Sequence, residues 1–230
     1  SEDDFTFDNW SDDLGHENTW YQEENERRHH AVSVTFFSIL DEVNDPRIPL
    51  FISQVGGEYV PAQNGTSEQD QAGVIYSRIS DNVINPTAPL PIMTYAELKF
   101  IEAECQLRKA SPDAAAALAA YEAGLDAALE QAGVETGQAQ AYKAQAEIMP
   151  ADAANLTLDM IYRQKYIHLW PYGAVEAYAE WRRTGYPSLT NPFDTPRRFP
   201  YPQNEISGNA ENVPNVTPYN GVWWDDGTED

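Results

Sequence analysis

The chain has 230 residues, of which 42% are apolar, so it is long enough to bury a hydrophobic core in one large domain or two small ones. Its 14 lysines and arginines against 37 aspartates and glutamates give a net charge of −23, which repels phosphate backbones and anionic lipid head groups. A nucleic-acid partner is therefore disfavoured, and the single cysteine, Cys105, excludes an intrachain disulfide.

Residues 1–30 are acidic and aromatic without sustained periodicity, which predicts an exposed loop with one short helix near its end. Trp10, Trp20 and Tyr21 stand among polar residues here. Aromatic side chains in such surroundings either pack against the protein body or stay exposed for stacking on a ligand, and the sequence leaves both alternatives open. His29 and His30 are adjacent and therefore point in different directions, which makes them a poor metal pair.

Residues 31–53 suit either a helix or a strand. Their apolar positions recur with helical spacing, so we predict a helix that ends at Leu40 or Val43. The Gly- and Asn-rich residues 55–73 predict a small β-hairpin or a surface loop. Prolines keep residues 74–93 extended.

The most consistent pattern is a helical hairpin over residues 94–133. Its first helix begins with a capping box formed by Thr94 and Glu97. Two apolar faces follow, one with Ala96, Phe100, Ala103 and Leu107, and a roughly opposite one with Leu98, Ile101 and Cys105. A helix with two apolar faces is predicted to lie between two neighbours, so we expect Cys105 to be buried.

The second helix of the hairpin has Ser111 as its predicted N-cap, Pro112 at its first position and Gly133 as its C-terminal signal. The short connection requires the two helices to be antiparallel, and the many alanines let them approach closely. These features are typical of a tetratricopeptide-like repeat, which needs further helices to bury both faces.

A second helical region follows over residues 156–183, with Thr157 as N-cap and a break at Pro171 and Gly173. The predicted fold class is therefore mainly α, with tetratricopeptide-like helical hairpins, long irregular loops and either a small β-hairpin or a loop near residue 60. From residue 184 the chain is proline-rich and irregular. We expect Trp223 and Trp224 to pack on the helices, and tail salt bridges between Arg197, Arg198 and Glu205 on one side and Glu104 and Arg108 on the other.

Three stretches together resemble one known family. They are TYAELKFIEAECQLR, QKYIHLWPYGAVEAYAEWRRTGYP and PRRFPYPQNEISGNAENV. In this order they are similar to motifs of the SusD/RagB family of outer-membrane nutrient-binding lipoproteins, as are NDPRIPLF and NTWYQ. Family members are about twice as long, so the resemblance is to their C-terminal half. It implies one SusD-like region, with a loop-rich ligand-facing segment (1–93), a helical core (94–183) and a tail packed on the helices (184–230).

The resemblance implies binding rather than catalysis. Such proteins capture glycans, or sometimes peptides, at the extracellular face of the outer membrane for import through a SusC-type TonB-dependent transporter. Membrane contact is expected only through an N-terminal lipid anchor upstream of these residues. The ligand-binding residues expected by character are Trp10, Trp20 and Tyr21, with Asn18 as a polar neighbour.

No catalytic residue, metal site or cofactor is predicted, because the sequence has no nucleophile elbow and no metal-binding motif. An alternative function is that of a helical-repeat scaffold that binds a peptide or protein partner through its concave face.

Overall fold

The computed structural model describes residues 4–27, 30–65, 73–189 and 194–225. In these ranges the chain is mainly helical, which confirms the predicted fold class. The helices are α1 (Thr19–Arg27), α2 (Val34–Asp41), α3 (Ile48–Phe51), α4 (Tyr95–Arg108), α5 (Ala114–Gln131), α6 (Thr136–Lys143), α7 (Leu158–Leu169), α8 (Ala174–Thr184) and α9 (Gln203–Gly208), with 3₁₀ turns at Ala153–Asn155 and Ala210–Asn212. Two strands, β1 (Phe5–Phe7) and β2 (Leu90–Met93), form an antiparallel pair.

Helices α4 and α5 form the predicted hairpin. The Thr94 hydroxyl accepts a hydrogen bond from the Glu97 amide at 3.1 Å, which confirms this cap. The cap of α5 is Asp113, whose carboxylate accepts from the Ala116 amide at 3.0 Å. The prediction of Ser111 as the cap is therefore wrong, because the helix begins two residues later, at a second residue type with strong capping preference.

Small residues let α4 and α5 approach closely. A Cβ atom on Gly124 of α5 would lie only 3.0 Å from the ring of Phe100, which is fully buried on α4. The ring of Tyr121 packs in the same core, and its hydroxyl donates to the carbonyl of Ile148 at 2.6 Å. Helix α7 packs against α4 as well and contributes Ile161 to this core.

A second apolar cluster joins α2 and α3 to the end of α7. Phe36 of α2 is buried and stacks on Trp170, with ring centroids 4.5 Å apart. The ring of Phe51 in α3 also contacts the Trp170 ring, with centroids 5.4 Å apart. The Trp170 ring is thus held by two phenylalanines directly after α7 ends.

The strand pair joins distant parts of the chain, with Phe7 opposite Leu90. No local pattern predicts such a pairing, so the sheet was missed. In the region where a hairpin or loop was predicted, residues 66–72 lie outside the described residues, and the rest contains a tight bridge between Val55 and Glu58.

The second apolar face of α4 remains partly exposed. Leu98 is 50% exposed, and Cys105 is exposed as well. The prediction that Cys105 is buried is therefore wrong. Its physical reason is that α5 and α7 pack around the side of α4 that holds Phe100 and Glu104, so the opposite side gains no comparable cover in the described structure.

The predicted salt bridges between helix edges and tail are wrong. Glu104 instead accepts two hydrogen bonds from Arg183 of α8, at 2.6 and 2.8 Å. Arg197 pairs with Asp225, which lies in the tail itself. Both pairs form because α8 and the tail fold back and bring these side chains together. The charges of the residues do not reveal this path of the chain.

The tail tryptophans behave differently from each other. Trp224 lies on the guanidinium of Arg182, 4.8 Å from ring centroid to Cζ. Trp223 is 93% exposed, so the prediction that both tryptophans pack on the helices is wrong for Trp223.

Candidate ligand-binding site

A cavity of about 490 Å³ lies where α1, α3, β2, the start of α4 and the end of α7 meet. Its size is in the range that proteins use for small ligands. The aromatic and polar residues of its lining include Trp20, Arg47, Thr94, Glu97, His168, Trp170, Tyr172 and Glu176.

Aromatic rings form one side of the cavity. Trp20 of α1 and Tyr172 meet edge to face, with centroids 6.2 Å apart and an interplanar angle of 82°. The Tyr172 hydroxyl donates to the carbonyl of Val83 at 2.7 Å, which fixes the ring. Burial raises the pKa of Tyr172 to about 12, so its hydroxyl stays neutral. Trp170 adds a third ring to this wall.

The lining of the cavity also contains a polar, uncharged pair. The Thr94 hydroxyl and Nε2 of His168 are 2.6 Å apart. Burial, assisted by the Arg47 guanidinium, lowers the pKa of His168 to about 4. The imidazole is therefore neutral near pH 7 and presents hydrogen-bonding groups without net charge.

Arg47 borders the cavity from the interior and is fully buried. Its Nε donates to Asp45 at 2.9 Å, and its Nη2 donates to Asp45 and Gln164 at 2.6 and 2.8 Å. Its Nη1 has no acceptor among the described residues. Burial alone would raise the pKa of Asp45, but the adjacent guanidinium outweighs it and holds that pKa below its usual range.

Two carboxylates border the cavity as well. Glu97 of α4 is half-buried, and Glu176 of α8 is exposed. Burial raises the pKa of Glu97, and the carboxylates of Glu176 and Glu180 raise it further against the opposing charge of Lys165. A negatively charged ligand is therefore disfavoured in this cavity, whereas hydroxyl groups find acceptors.

The four residues expected to bind ligand are not brought together. Trp20 lines the cavity. Trp10 packs on Phe7 with centroids 4.6 Å apart and is not among the residues that line the cavity. Tyr21 is half-buried and does not line this cavity.

Asn18 has a structural role in the described geometry. It is fully buried, and its Oδ1 accepts from the amides of Trp20 and Tyr21 at 2.8 and 3.3 Å, so it caps α1. Its Nδ2 donates to the carbonyl of Ala88 at 2.8 Å. Asn18 thus orients Trp20 toward the cavity rather than facing the cavity itself.

The sequence reasoning missed Tyr172, His168 and Arg47. The cluster of aromatic residues around the Pro171 break was the available signal, because a ring placed directly after a helix end is well positioned to face a cavity. No helix in the described ranges is long and apolar enough to cross a membrane. The described side chains also contain no group of three or more potential metal ligands.

Comparison with known proteins identifies the family. A model of the SusD-like family, described as "Starch-binding associating with outer membrane", matches residues 1–202. The chain belongs to this SusD-like family. No curated protein matches the chain.

Solved structures of SusD homologues have the same fold. One from Bacteroides vulgatus has a TM-score of 0.76 at 26% identity, over 96% of this chain and 54% of that one. A SusD/RagB family protein from Bacteroides thetaiotaomicron has a TM-score of 0.75 at 25% identity, over 98% and 56%. A homologue from Bacteroides uniformis, 22% identical with a TM-score of 0.71 over 97% and 56%, supports the fold alone. The SusD-like chain spans about half the length of these structures.

Proposed function

We propose that this SusD-like chain takes part in the non-catalytic capture of glycans at the extracellular face of the outer membrane. The observation that carries the proposal is the cavity that is lined by the Trp20 and Tyr172 rings and by the neutral pair of Thr94 and His168. Sugar rings offer C–H faces that pack on aromatic planes, and their hydroxyls need closely placed donors and acceptors. The cavity offers both.

The chemistry of the cavity favours neutral sugars. Its borders carry the carboxylates of Glu97 and Glu176, and its one arginine, Arg47, is already paired with Asp45. Hydroxyl groups can donate to those carboxylates, whereas an acidic sugar would be repelled by them. We therefore assign the cavity to an uncharged oligosaccharide.

Affinity electrophoresis tests this proposal. The chain is run through gels that contain single neutral polysaccharides, alongside Trp20→Ala and the control Trp223→Ala, whose indole is exposed and lies outside the cavity. We expect one polysaccharide to retard the wild type and the control, and Trp20→Ala to lose retardation with unchanged far-UV circular dichroism. Equal retardation of all three would move the site away from Trp20, and no retardation by any neutral glycan would refute the proposal.

Import through a SusC-type TonB-dependent transporter and the absence of catalysis belong to the same proposal. Co-purification of the protein with such a transporter from outer membranes tests the partnership. Incubation with the retarding polysaccharide, followed by a reducing-sugar assay, tests catalysis. Sustained release of reducing ends by the purified protein would contradict a capture-only role.

A further inference from the structure

Most cationic side chains of this acidic protein lie next to carboxylates, but Arg198 does not. Among the described residues, the arginines without a carboxylate within 4 Å are Arg27, Arg182 and Arg198. Arg27 ends α1 in solvent, and Arg182 is held between the rings of Tyr178 and Trp224. Of these three, Arg198 lines a cavity.

The backbone fixes the position of Arg198. Its amide and that of Arg197 both donate to the carbonyl of Pro218, at 3.1 and 2.7 Å. The Arg198 guanidinium lies over the ring of Tyr201, 5.2 Å from the centroid. This stacking satisfies no N–H group, and the buried Nε has no acceptor among the described residues. Because Nε is inaccessible, the donors open to an outside ligand are Nη1 and Nη2, which make no hydrogen bond in the described part of the chain, and an acceptor there gains a charge-assisted hydrogen bond.

The neighbouring arginine shows which group fits a pair of guanidinium N–H donors. Nε of Arg197 donates to Oδ2 of Asp225 at 2.8 Å, and its Nη2 donates to Oδ1 of the same carboxylate. A planar carboxylate therefore fills the paired N–H groups of Arg197. Arg198 offers a different pair, Nη1 and Nη2, which can hold a carboxylate in the same two-point manner, and no described carboxylate lies there, so a carboxylate from outside the chain fits.

The cavity beside Arg198 measures about 300 Å³, which is enough for one sugar residue. Its wall combines apolar and polar side chains, namely Tyr201, Ile206, Val213, Asn215, Val216 and Thr217. The Asn215 amide makes no hydrogen bond in the described part of the chain, so it is available to a hydroxyl group. The cavity beside Arg198 shares no lining residue with the Trp20 cavity.

We propose that this cavity binds a uronic acid residue of an acidic glycan. Arg198 holds the carboxylate, and Asn215 bonds a ring hydroxyl. The choice of a sugar acid over an acidic peptide rests on the proposed function, but the site is separate from the Trp20 cavity. The chain then engages glycans at two places with opposite charge preference.

Isothermal titration with trigalacturonate tests the proposal, with its fully methyl-esterified form as the matched uncharged ligand. The proteins are the wild type, Arg198→Gln and the control Arg27→Gln, which also removes an unpaired arginine. We expect wild type and Arg27→Gln to bind the acid, and Arg198→Gln to bind it about ten-fold or more weakly. The ester is expected not to bind. Asn215→Ala, which leaves the arginine in place, is expected to weaken binding to a smaller extent.

Several outcomes would overturn the proposal. These are no binding of trigalacturonate by the wild type, equal binding by Arg198→Gln, and equal binding of the ester. Binding of N-acetylglutamate in place of the sugar acid would identify an acidic peptide as the ligand and so refute the uronic acid. Trp20→Ala should bind trigalacturonate normally, so a failure of neutral-glycan capture at Trp20 is distinguishable from a failure at Arg198.

Discussion

His168 is a buried histidine whose protonation opposes folding. Burial, with the nearby Arg47 charge, lowers its pKa from 6.5 to about 4. The unfolded chain therefore binds this proton at a higher pH than the folded chain. The stability contribution is fully present above pH 6.5 and is lost as the pH falls toward 4, by about 3 kcal/mol at most.

Urea unfolding of the wild type and His168→Gln at pH 7 and pH 4.5 tests this expectation. Glutamine stays neutral and can still bond to Thr94, so the wild type should lose its advantage over the variant by about 2–3 kcal/mol at the lower pH. Taking the difference between the two proteins cancels the titration of shared carboxylates. A stability difference independent of pH would show that the pKa of His168 is not lowered.

The buried pair of Arg47 and Asp45 gives a second prediction at the scale of single residues. Both side chains are almost fully inaccessible. Arg47→Met leaves a buried carboxylate and the oxygen of Gln164 without their donor. We expect a loss of about 3–5 kcal/mol in the free energy of unfolding.

The matched control for this prediction is Arg78→Met, whose partner Asp81 is mostly exposed. Its loss should be about 1 kcal/mol or less. The double variant Arg47→Met with Asp45→Asn should recover part of the lost unfolding free energy, because neither member of the buried pair is then charged. Chemical denaturation measures all three, and equal losses for Arg47→Met and Arg78→Met would contradict this account.

At the scale of the helices, Gly124 and Gly137 give opposite expectations for the same substitution. Alanine at position 124 would place its Cβ 3.0 Å from the Phe100 ring and 3.2 Å from the Ala96 carbonyl. Overpacking should outweigh the gain in helix propensity, so Gly124→Ala is expected to destabilise by about 1–3 kcal/mol. At Gly137 of α6 an added Cβ would have no described atom within 4 Å apart from its chain neighbours and its own helix backbone, so Gly137→Ala is expected to stabilise by about 0.5–1 kcal/mol.

Thermal and urea unfolding of these two variants provides the measurement. Both variants add the same methyl group to a helix, so a difference in their stability reports the different surroundings of the two glycines. Stabilisation by Gly124→Ala would mean that α4 and α5 move apart at no cost, and the close contact at Phe100 would then not hold the hairpin together.

The longer helices α4, α5, α7 and α8 were predictable because their signals are local, whereas the short helices α3 and α9 lie in segments where no helix was predicted. The capping of α4 by Thr94 and of α7 by Thr157 follows from residues three positions apart. The pairing of β1 with β2 depends on chain segments more than 80 residues apart, so no local spacing encodes it. The prediction that Cys105 is buried was wrong for a related reason. The pattern shows that a helix face is apolar, but it does not show which neighbours cover it.

At the scale of the whole molecule, the cavity forms because segments that are distant in the sequence meet in the fold, and the sequence does not show which segments meet. Trp20 could be proposed because an aromatic residue in a polar segment stands out. Tyr172 and His168 look like ordinary helix and turn residues until α1 and the end of α7 are brought to one cavity. Asn18, expected to bind ligand, is instead buried as the cap that orients Trp20.

The last prediction concerns the exposed face of α4 that carries Leu98 and Cys105. Its tetratricopeptide-like pattern predicts a further helix against this face, and this chain spans about half the length of the SusD homologues it matches. We expect the Cys105 thiol to react readily with a thiol reagent such as DTNB in the native 230-residue chain, because it is exposed. In a longer form extended upstream, the rate of the thiol reaction should fall at least about ten-fold toward that of a buried thiol.

Leu98→Lys should lower the stability of the longer form far more than that of the 230-residue chain, since only a covered lysine loses its hydration. Equal thiol reactivity in both forms, together with equal effects of Leu98→Lys, would show that upstream residues do not cover this face, and would favour an external peptide or protein as its partner.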